Sequence, residues 1–253
     1  MTFKVVIPAR YGSTRLPGKP LLKIGDRSLL EHVYHAAVSS GAEEIIIATD
    51  DDRIEAHAQS FGATVVMTSI EHQSGTDRIN EVLNSLNIPP EQIIVNVQGD
   101  EYGLEPELIN RVAVALHRNP GKQMATLCEK ITDINVYKDP NAVKVVKDKN
   151  NTALYFSRSS IPWMNPDKTA KEATNLNAYK HIGIYAYRVD FLKIFASLPH
   201  VELEKQESLE QLRALYNGYS IHVEEVPQKT GIEINTEEDL IRAITAVKKQ
   251  GVV

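Results

Sequence analysis

Short apolar runs alternate with helically spaced apolar residues through the first half of the chain. Each run is short and rich in Ile and Val, which is typical of a buried strand, and the residues between runs place apolar side chains three and four apart, which predicts helices. The predicted strands are 5–7, 43–49, 64–68 and 93–98, and the predicted helices are 29–37, 54–61, 79–86 and 106–118. This alternation predicts an α/β fold whose parallel sheet binds ligands beyond the carboxyl ends of its strands.

The second half of the chain has a different pattern. Two runs flank the turn-forming segment 148–151, which predicts a β-hairpin. Thr236 is followed three residues later by Asp239, a relative of the capping box that predicts the start of the last helix. The long polar segment 159–178 predicts a functional or mobile loop. The remaining predictions are hairpin strands at 142–147 and 152–157, strands at 179–187 and 220–226, and helices at 189–198 and 206–217.

The segment after the first strand concentrates basic and small residues. We expect Pro8 to end the strand, and Arg10, Arg15 and Lys19 then stand among glycine, serine and threonine. Glycine lets backbone N–H groups approach an anion and the cations neutralise its charge, so this pattern predicts a loop that binds a polyphosphate. The loop matches neither the Walker pattern nor GxGxxG. An ordinary basic surface loop is the alternative.

Two further loops carry candidate chemistry. Asp100 follows the strand at 93–98. A carboxylate at this position is a natural Mg²⁺ ligand beside a polyphosphate. The alternative is that Asp100 is an ordinary turn residue. The segment 72–78, HQSGTDR, runs into a predicted helix. Its small polar residues either cap that helix or present N–H groups and hydroxyls to a base or a phosphate.

Composition excludes several classes of protein. The 253 residues carry a formal net charge of −5, which argues against a nucleic-acid binder. The single cysteine, Cys128, allows no intramolecular disulfide, and its apolar neighbours predict a buried small hydrophobe rather than a nucleophile. The sequence has no apolar run of about 18 residues and no leader pattern, so we expect a cytoplasmic protein without membrane insertion.

Eight blocks follow one another in a recognisable order across nearly the full length. They are IPARYGSTRLPGKP (7–20), ATDDDRI (48–54), HQSGTDRI (72–79), VNVQGDE (95–101), NAVKVV (141–146), ALYFSRSSIPW (153–163), HIGIYAYR (181–188) and LEQLR (209–213). Together they resemble the 3-deoxy-manno-octulosonate (Kdo) cytidylyltransferase, or CMP-Kdo synthetase, family of Gram-negative lipopolysaccharide synthesis. The first and third blocks are highly specific jointly, and the last two narrow the resemblance to the Kdo branch.

The resemblance implies a fold and a reaction. The fold is the Rossmann-like nucleotide-diphospho-sugar transferase fold, three α/β/α layers with a mostly parallel central sheet and a smaller β-rich lobe for dimerisation and sugar binding. We expect one domain over 1–253, with a nucleotide-binding half at about 1–120 and a sugar-acid and dimerisation half at about 121–253. The family transfers the cytidylyl group of CTP to the anomeric hydroxyl of the sugar acid and releases pyrophosphate, and we expect a homodimer.

The resemblance also implies a set of site residues. Those expected to contact CTP are Pro8, Ala9, Arg10, Ser13, Thr14, Arg15, Lys19, Gln73, Ser74 and Gly75. Those expected to contact the sugar acid are Gln98, Arg158, His181, Tyr185, Glu210 and Gln211. Lys19, Arg15 and Asp100 are the expected catalytic residues, and Asp100 and Asn235 are the expected Mg²⁺ ligands.

Two positions depart from the family's pattern. Asn235 stands where the family usually has the Asp that is its second metal ligand, and an Asn oxygen ligates a metal without bringing charge. Tyr102 stands where the family usually has a proline beside Asp100. Two alternatives therefore remain open: the same reaction on 8-amino-Kdo or another sugar acid, and a non-catalytic paralogue that binds a nucleotide or a sugar.

Overall fold

The computed structural model of the chain describes residues 1–12, 16–72, 74–164, 177–227, 232–234 and 236–249. The chain forms two compact units, Met1–Asn110 with Lys229–Val253, and Arg111–Gln228. The sequence placed the division at about residue 120, whereas the units divide at residue 110 and the C-terminal segment groups with the first unit.

The first unit contains a parallel sheet. Its strands are β1 (Phe3–Ala9), β2 (Lys23–Ile24), β3 (Arg27–Ser28), β4 (Glu44–Thr49), β5 (Thr64–Met67), β6 (Ile93–Asn96), β7 (Glu101–Tyr102) and, late in the chain, β13 (Ile232–Glu233). Parallel pairs β6–β1, β1–β4 and β4–β5 give the order β6-β1-β4-β5. The α/β pattern and the parallel pairing predicted for this half of the chain are confirmed.

Several helices of the first unit begin at polar caps. They are α1 (Leu29–Val38), α2 (Asp52–Ser60), α3 (Gly75–Ser85), α4 (Pro106–Arg118), inside which the division between the units falls, and α9 (Glu237–Lys249). The side chains of Ser28 and Asp51 accept hydrogen bonds from main-chain N–H groups in α1 and α2. Thr236 and Asp239 exchange reciprocal bonds at the start of α9, so the predicted capping box is confirmed.

The second unit is mostly antiparallel. Its strands are β8 (Met124–Lys130), β9 (Lys144–Lys147), β10 (Ala153–Ser157), β11 (Tyr179–Arg188) and β12 (Ile221–Val226), and its helices are α5 (Ile134–Lys138), α6 (Val189–Ser197), α7 (Glu202–Glu207) and α8 (Gln211–Tyr216). β10–β9, β9–β11 and β11–β8 pair antiparallel, and β8–β12 pair parallel. The predicted hairpin of β9 and β10 is confirmed.

The prediction that Pro8 ends the first strand is wrong, because β1 continues to Ala9. Val97 donates its N–H to the carbonyl oxygen of Val6, so Val6 faces β6. The main-chain groups of residues two apart point towards the same neighbouring strand, so those of Pro8 also point towards β6. Pairing of β1 with β6 ends at Val6, before Pro8 is reached. The missing N–H of Pro8 therefore removes no hydrogen bond from the ladder.

Two predictions for the second half are also corrected. The predicted helix at 206–217 is two helices, α7 and α8, separated by Ser208 at φ 53°. Glu207 accepts hydrogen bonds from Ser157 and Arg158. This tertiary contact cannot be predicted from the local sequence pattern. The strand β8 was not predicted at all, and it is defined by its pairing with β11 on one side and β12 on the other. Of the predicted loop at 159–178, residues 165–176 lie outside the described residues.

Burial agrees with the expected character of Cys128. Its side chain is fully buried, and burial raises the pKa of the thiol to about 12, so it stays protonated and unreactive at neutral pH. The prediction of a buried small hydrophobe is confirmed. Among the described residues, no helix combines the length and the apolar character required to cross a membrane.

Candidate active site

Close packing joins the carboxyl end of β1 to the loop after β6. A Cβ on Gly99 would lie 3.0 Å from the carbonyl oxygen of Pro8 and 3.5 Å from the Cβ of Ala9. A Cβ on Gly75, the first residue of α3, would lie 3.2 Å from Cγ of Pro8 and 3.5 Å from Nε2 of Gln98. Glycine permits both approaches. Pro8, Ala9, Gly75 and Gln98 therefore meet at the edge of the sheet where α/β proteins bind ligands.

Lys19 and Asp100 lie in direct contact in the same unit. Nζ of Lys19 donates to Oδ2 of Asp100 at 2.5 Å and to the carbonyl oxygen of Ile234 at 2.6 Å. Ile234 returns a main-chain bond, because its N–H donates to the carbonyl oxygen of Asp100 at 3.0 Å. Ile234 thus binds the ammonium of Lys19 and the main chain of Asp100, the two residues that the sequence singled out.

The opening loop turns back on itself around Tyr11. Gly18, at φ 67°, donates its N–H to the carbonyl oxygen of Tyr11, and a Cβ there would lie 3.1 Å from the tyrosine ring. The guanidinium of Arg53 lies 3.4 Å from the centre of that ring. Arg10 is exposed, and Ser13, Thr14 and Arg15 lie outside the described residues.

The HQSGTDR segment caps α3 and buries an arginine. Oγ of Ser74 accepts a hydrogen bond from the N–H of Asp77 at 3.1 Å, so the capping interpretation holds for Ser74. Gln73 lies outside the described residues. Arg78 is 3% exposed and donates to Oδ2 of Asp50 at 2.6 Å and to the hydroxyl of Thr68.

Sequence reasoning missed this buried arginine. Arg78 lies four residues before Val82 and beside Ile79, so it falls on the apolar face of the predicted helix, and that position was the available signal. The contacts tie α3 to the carboxyl ends of β4 and β5, because Asp50 follows β4 and Thr68 follows β5.

The carboxylate of Asp100 fits a divalent cation that takes its other ligands from a substrate. Among residues 1–12, 16–72, 74–164, 177–227, 232–234 and 236–249, no group of three or more His, Cys, Asp or Glu side chains could hold a metal. Mg²⁺ in nucleotide sites is commonly bound by one or two carboxylates together with phosphate oxygens and water. Asp100 suits that role, and a contribution from Asn235 stays a prediction because Asn235 lies outside the described residues.

In the second unit, His181 is a buried, neutral histidine. Its Nε2 lies 2.9 Å from Oγ1 of Thr126, and burial, assisted by the charge of Lys180, lowers the pKa of His181 to about 3. The Thr126 hydroxyl lies 2.8 Å from the carbonyl oxygen of Ile184, which only accepts. The hydroxyl proton therefore points to the carbonyl, and Nε2 of His181 carries its hydrogen and donates it to Oγ1.

Tyr185, Glu210 and Gln211 are further predicted site residues of this unit. The Tyr185 ring lies 5.4 Å from that of His181, and burial, with the charge of Glu210 as a smaller cause, raises the pKa of its hydroxyl. Oε1 of Glu210 accepts from Nη2 of the buried Arg213 at 3.0 Å. Nε2 of Gln211 is buried without a hydrogen-bond partner among the described residues, which leaves an amide donor for a ligand.

Arg158 follows β10 and is half-buried. Nε donates to the carbonyl oxygen of Glu207 at 2.8 Å, and Nη1 donates to the carbonyl oxygen of Pro140 at 3.2 Å. Both acceptors are main-chain carbonyls, which carry no formal charge, so neither of them neutralises the positive charge of the guanidinium. A cation in that state suits a carboxylate ligand.

Comparison with known proteins gives the class first. The family model described as "Cytidylyltransferase" matches residues 4–225. A 3-deoxy-manno-octulosonate cytidylyltransferase of Thioalkalivibrio sulfidiphilus is 48% identical over 243 residues, 96% of this chain and 97% of its own length. The enzyme of that name from Cellvibrio japonicus is 51% identical over 247 residues, 96% of each chain.

A solved structure described as CMP:2-keto-3-deoxy-manno-octonic acid synthetase complexed with CTP has a TM-score of 0.89 and 39% identity, and covers 99% of this chain and 100% of its own. The chain belongs to the 3-deoxy-manno-octulosonate cytidylyltransferase family, within the cytidylyltransferases. Its predicted nucleotidyltransferase fold with a mostly parallel central sheet is confirmed. Members of this class of enzyme typically use a divalent metal.

Proposed function

We propose that this chain transfers the cytidylyl group of CTP to the anomeric hydroxyl of Kdo, which yields CMP-Kdo and pyrophosphate and activates Kdo for lipopolysaccharide biosynthesis. The observation that carries the proposal is the contact of Lys19 with Asp100, in the unit where Pro8, Gly75 and Gln98 converge. A phosphate-binding cation and a metal-binding carboxylate in contact are what transfer from a nucleoside triphosphate requires. The relatives' names support CTP and Kdo as the substrates.

The first unit supplies the residues proposed for CTP. Pro8 and Ala9, at the end of β1, lie beside the cytosine, and the start of α3 recognises the base and the ribose through Ser74 and Gly75. Gln73 joins them from the preceding position. The triphosphate is held by Arg10, Ser13, Thr14, Arg15 and Lys19. A strand end followed by glycine and cations is a common arrangement for a polyphosphate.

The chemistry we infer is a direct, in-line displacement at the α-phosphorus of CTP. The anomeric hydroxyl gives up its proton to solvent water and its oxygen forms the new P–O bond. The bond from the α-phosphorus to the bridging oxygen breaks, and pyrophosphate leaves with that electron pair. Lys19 and Arg15 neutralise the departing pyrophosphate, so the chain acts mainly through position and charge. Asp100 would hold a divalent cation, which would neutralise phosphate charge and lower the pKa of the attacking hydroxyl.

The second unit supplies most of the residues proposed for the sugar acid. Arg158 offers a cation to the carboxylate, Gln211 offers an amide donor, and Glu210 offers an acceptor for a sugar hydroxyl. His181 and Tyr185 add a neutral imidazole and a phenol beside one another. Gln98 is also proposed to contact the acid. One cation, one carboxylate and several neutral polar groups suit a ligand with one carboxylate and several hydroxyls.

Four finer points belong to the same proposal. We propose Mg²⁺ as the metal, held by Asp100 with Asn235, because oxygen ligands and phosphates favour a hard cation. We also propose a single functional domain, a homodimer and a cytoplasmic location. These points are supported by the family resemblance rather than by a contact in the described residues.

The test is pyrophosphate release with CTP and Mg²⁺ across a panel of sugar acids that includes Kdo, 8-amino-Kdo and a nonulosonate. We expect turnover with Kdo and a preference for it. A preference for another acid would correct the acceptor, and CTP binding by calorimetry without release on any acid would identify a non-catalytic paralogue. Isotopically labelled CTP distinguishes direct transfer from hydrolysis, because only transfer produces the CMP-sugar.

A further inference from the structure

Lys144, at the start of β9, is a fully buried lysine. Its Nζ donates to the carbonyl oxygens of Asp139 at 2.7 Å, Ala142 at 2.5 Å and Arg158 at 2.6 Å. An ammonium carries three donors, so these carbonyls use all of them. Burial lowers the pKa of Lys144. Burying a charge is costly unless it is fully compensated, which indicates that this contact has a specific task.

Glu207, the last residue of α7, binds the main-chain N–H of Arg158. Oε2 of Glu207 accepts from the N–H of Arg158 at 2.9 Å, and Oε1 accepts from Oγ of Ser157 at 2.6 Å. The main-chain carbonyl of Glu207 accepts from Nε of Arg158 at 2.8 Å. Glu207 therefore fixes both the backbone and the side chain of Arg158.

The contacts of Lys144 and Glu207 converge on one residue. The N–H of Arg158 is bound by a carboxylate, and its carbonyl is bound by an ammonium. Nη1 of Arg158 reaches Pro140, which lies in the turn whose carbonyls Lys144 binds. An arginine side chain loses much rotamer freedom when it is ordered, so an arrangement that orders it beforehand improves ligand binding.

We infer that Lys144 and Glu207 are positioning residues, which fix Arg158 so that its guanidinium meets the carboxylate of the sugar acid. The inference rests on the proposed function and adds two residues that the site resemblance does not include. Neither residue contacts the substrate. A guanidinium binds a carboxylate best in a defined plane, so displacement of Arg158 weakens binding of the acid and leaves binding of CTP unchanged.

The first test compares Glu207→Gln and Lys144→Met with the wild-type chain by steady-state kinetics. We expect KM for the acid to rise about 10-fold, the effect of losing about 1.4 kcal/mol of binding, while KM for CTP stays within about 2-fold. Glu202→Gln on the exposed side of α7 and Lys149→Met in the exposed turn are matched controls and should change neither constant. Equal rises for both substrates, or none for the acid, would overturn the inference.

The second test is a double-mutant cycle with Arg158→Ala. A residue that acts only through Arg158 has no effect once the guanidinium is gone, so adding Glu207→Gln to Arg158→Ala should change KM for the acid by less than about 2-fold. Full multiplication of the two effects would contradict the positioning role. Glu207→Gln keeps the shape of the side chain, so it carries the test if Lys144→Met does not fold.

The two proposals fail in different ways. The wild-type chain is measured first on the panel of sugar acids, and the variants are then measured on the acid that it prefers. Preference for an acid other than Kdo overturns the Kdo assignment alone. An unchanged KM for the preferred acid in Glu207→Gln overturns the positioning role alone. Calorimetric titration of the acid gives the same comparison without turnover.

Discussion

Nζ of Lys19 lies 2.5 Å from Oδ2 of Asp100, although 81 positions separate the two residues in the sequence. In the proposed function the ammonium serves the phosphates and the carboxylate serves the metal. Each side chain currently compensates the charge of the other. Binding of a metal–nucleotide complex would give the ammonium a phosphate and the carboxylate a metal, so each charge would keep a partner of opposite sign.

Replacement of Asp100 should act chiefly on the metal. We expect Asp100→Asn to lower pyrophosphate release about 100-fold, because charge stabilisation by a metal contributes several kcal/mol. The concentration of Mg²⁺ that gives half-maximal activity should rise as well, and a metal titration of activity measures both effects. Asp26→Asn, in the exposed turn between β2 and β3, is the control. An unchanged metal requirement would remove Asp100 from the metal site.

The contact between Gly75 and Pro8 provides a test of the base-binding surface. The added Cβ of Gly75→Ala would lie 3.2 Å from Pro8, so Pro8 or Gln98 has to move by a few tenths of an ångström. We expect KM for CTP to rise about 5-fold, which corresponds to about 1 kcal/mol. Alanine is favoured in helices, so the melting temperature should hardly change.

The matched control for Gly75→Ala is Gly121→Ala, because no atom lies within 4 Å of the Cβ position at Gly121. We expect kinetics like those of the wild-type chain from this control. If Gly75→Ala also leaves KM for CTP unchanged, the surface formed by Pro8 and Gly75 does not contact the nucleotide.

The buried pair of Arg78 and Asp50 should dominate the response to mutation in this part of the first unit. The side chains are 3% and 11% exposed, so Arg78→Met leaves a carboxylate without its partner. We expect a loss of about 3 kcal/mol in the free energy of unfolding, measured by denaturant titration. Arg27→Met breaks the partly exposed pair with Glu31 and should cost less than about 1 kcal/mol. Equal losses in the two variants would show that burial does not set the cost.

His181 should make stability depend on pH in acid. Burial places its folded-state pKa at about 3, below the value of about 6.5 in an unfolded chain. As pH falls below 6.5 the unfolded chain therefore binds the proton first, and the free energy of unfolding decreases. Between pH 7.5 and pH 5.0 this contribution amounts to about 2 kcal/mol.

The comparison that isolates this contribution is the wild-type chain against His181→Gln, unfolded by denaturant at both pH values. The amide of glutamine can donate to Thr126 but does not titrate, so the variant should lose about 2 kcal/mol less on acidification. Parallel losses in the two proteins would mean that His181 titrates normally in the folded state.

Local patterns predicted most of the first unit. The strand at 43–49, the helix at 106–118 and the capping box at Thr236 depend on periodicity and capping, which act between neighbours in sequence. The strand β8 and the break between α7 and α8 escaped prediction. Both involve partners far away in the sequence, because β8 pairs with β11 and β12 and Glu207, at the end of α7, bonds to Arg158.

The site shows the same division. Lys19, Asp100 and Arg158 were predicted from residue type and motif order, whereas Arg78, Lys144 and Glu207 were not. These three residues acquire their partners only when separate segments pack together, as when Arg78 meets Asp50 and Lys144 meets three carbonyls. Burial then sets the electrostatics, because a charge removed from water is tolerated only where such partners surround it.

By itself, the sequence determined the α/β class, the alternation of strands and helices in the first half, and the types of residue predicted for a nucleotide and an acid, because these follow from side-chain chemistry, motif order and short-range periodicity. The tertiary structure alone decided that Lys19 pairs with Asp100, that His181 is neutral and that Arg158 is held at both its N–H and its carbonyl. Distances and burial arise from the packing of remote segments, and no local pattern encodes them.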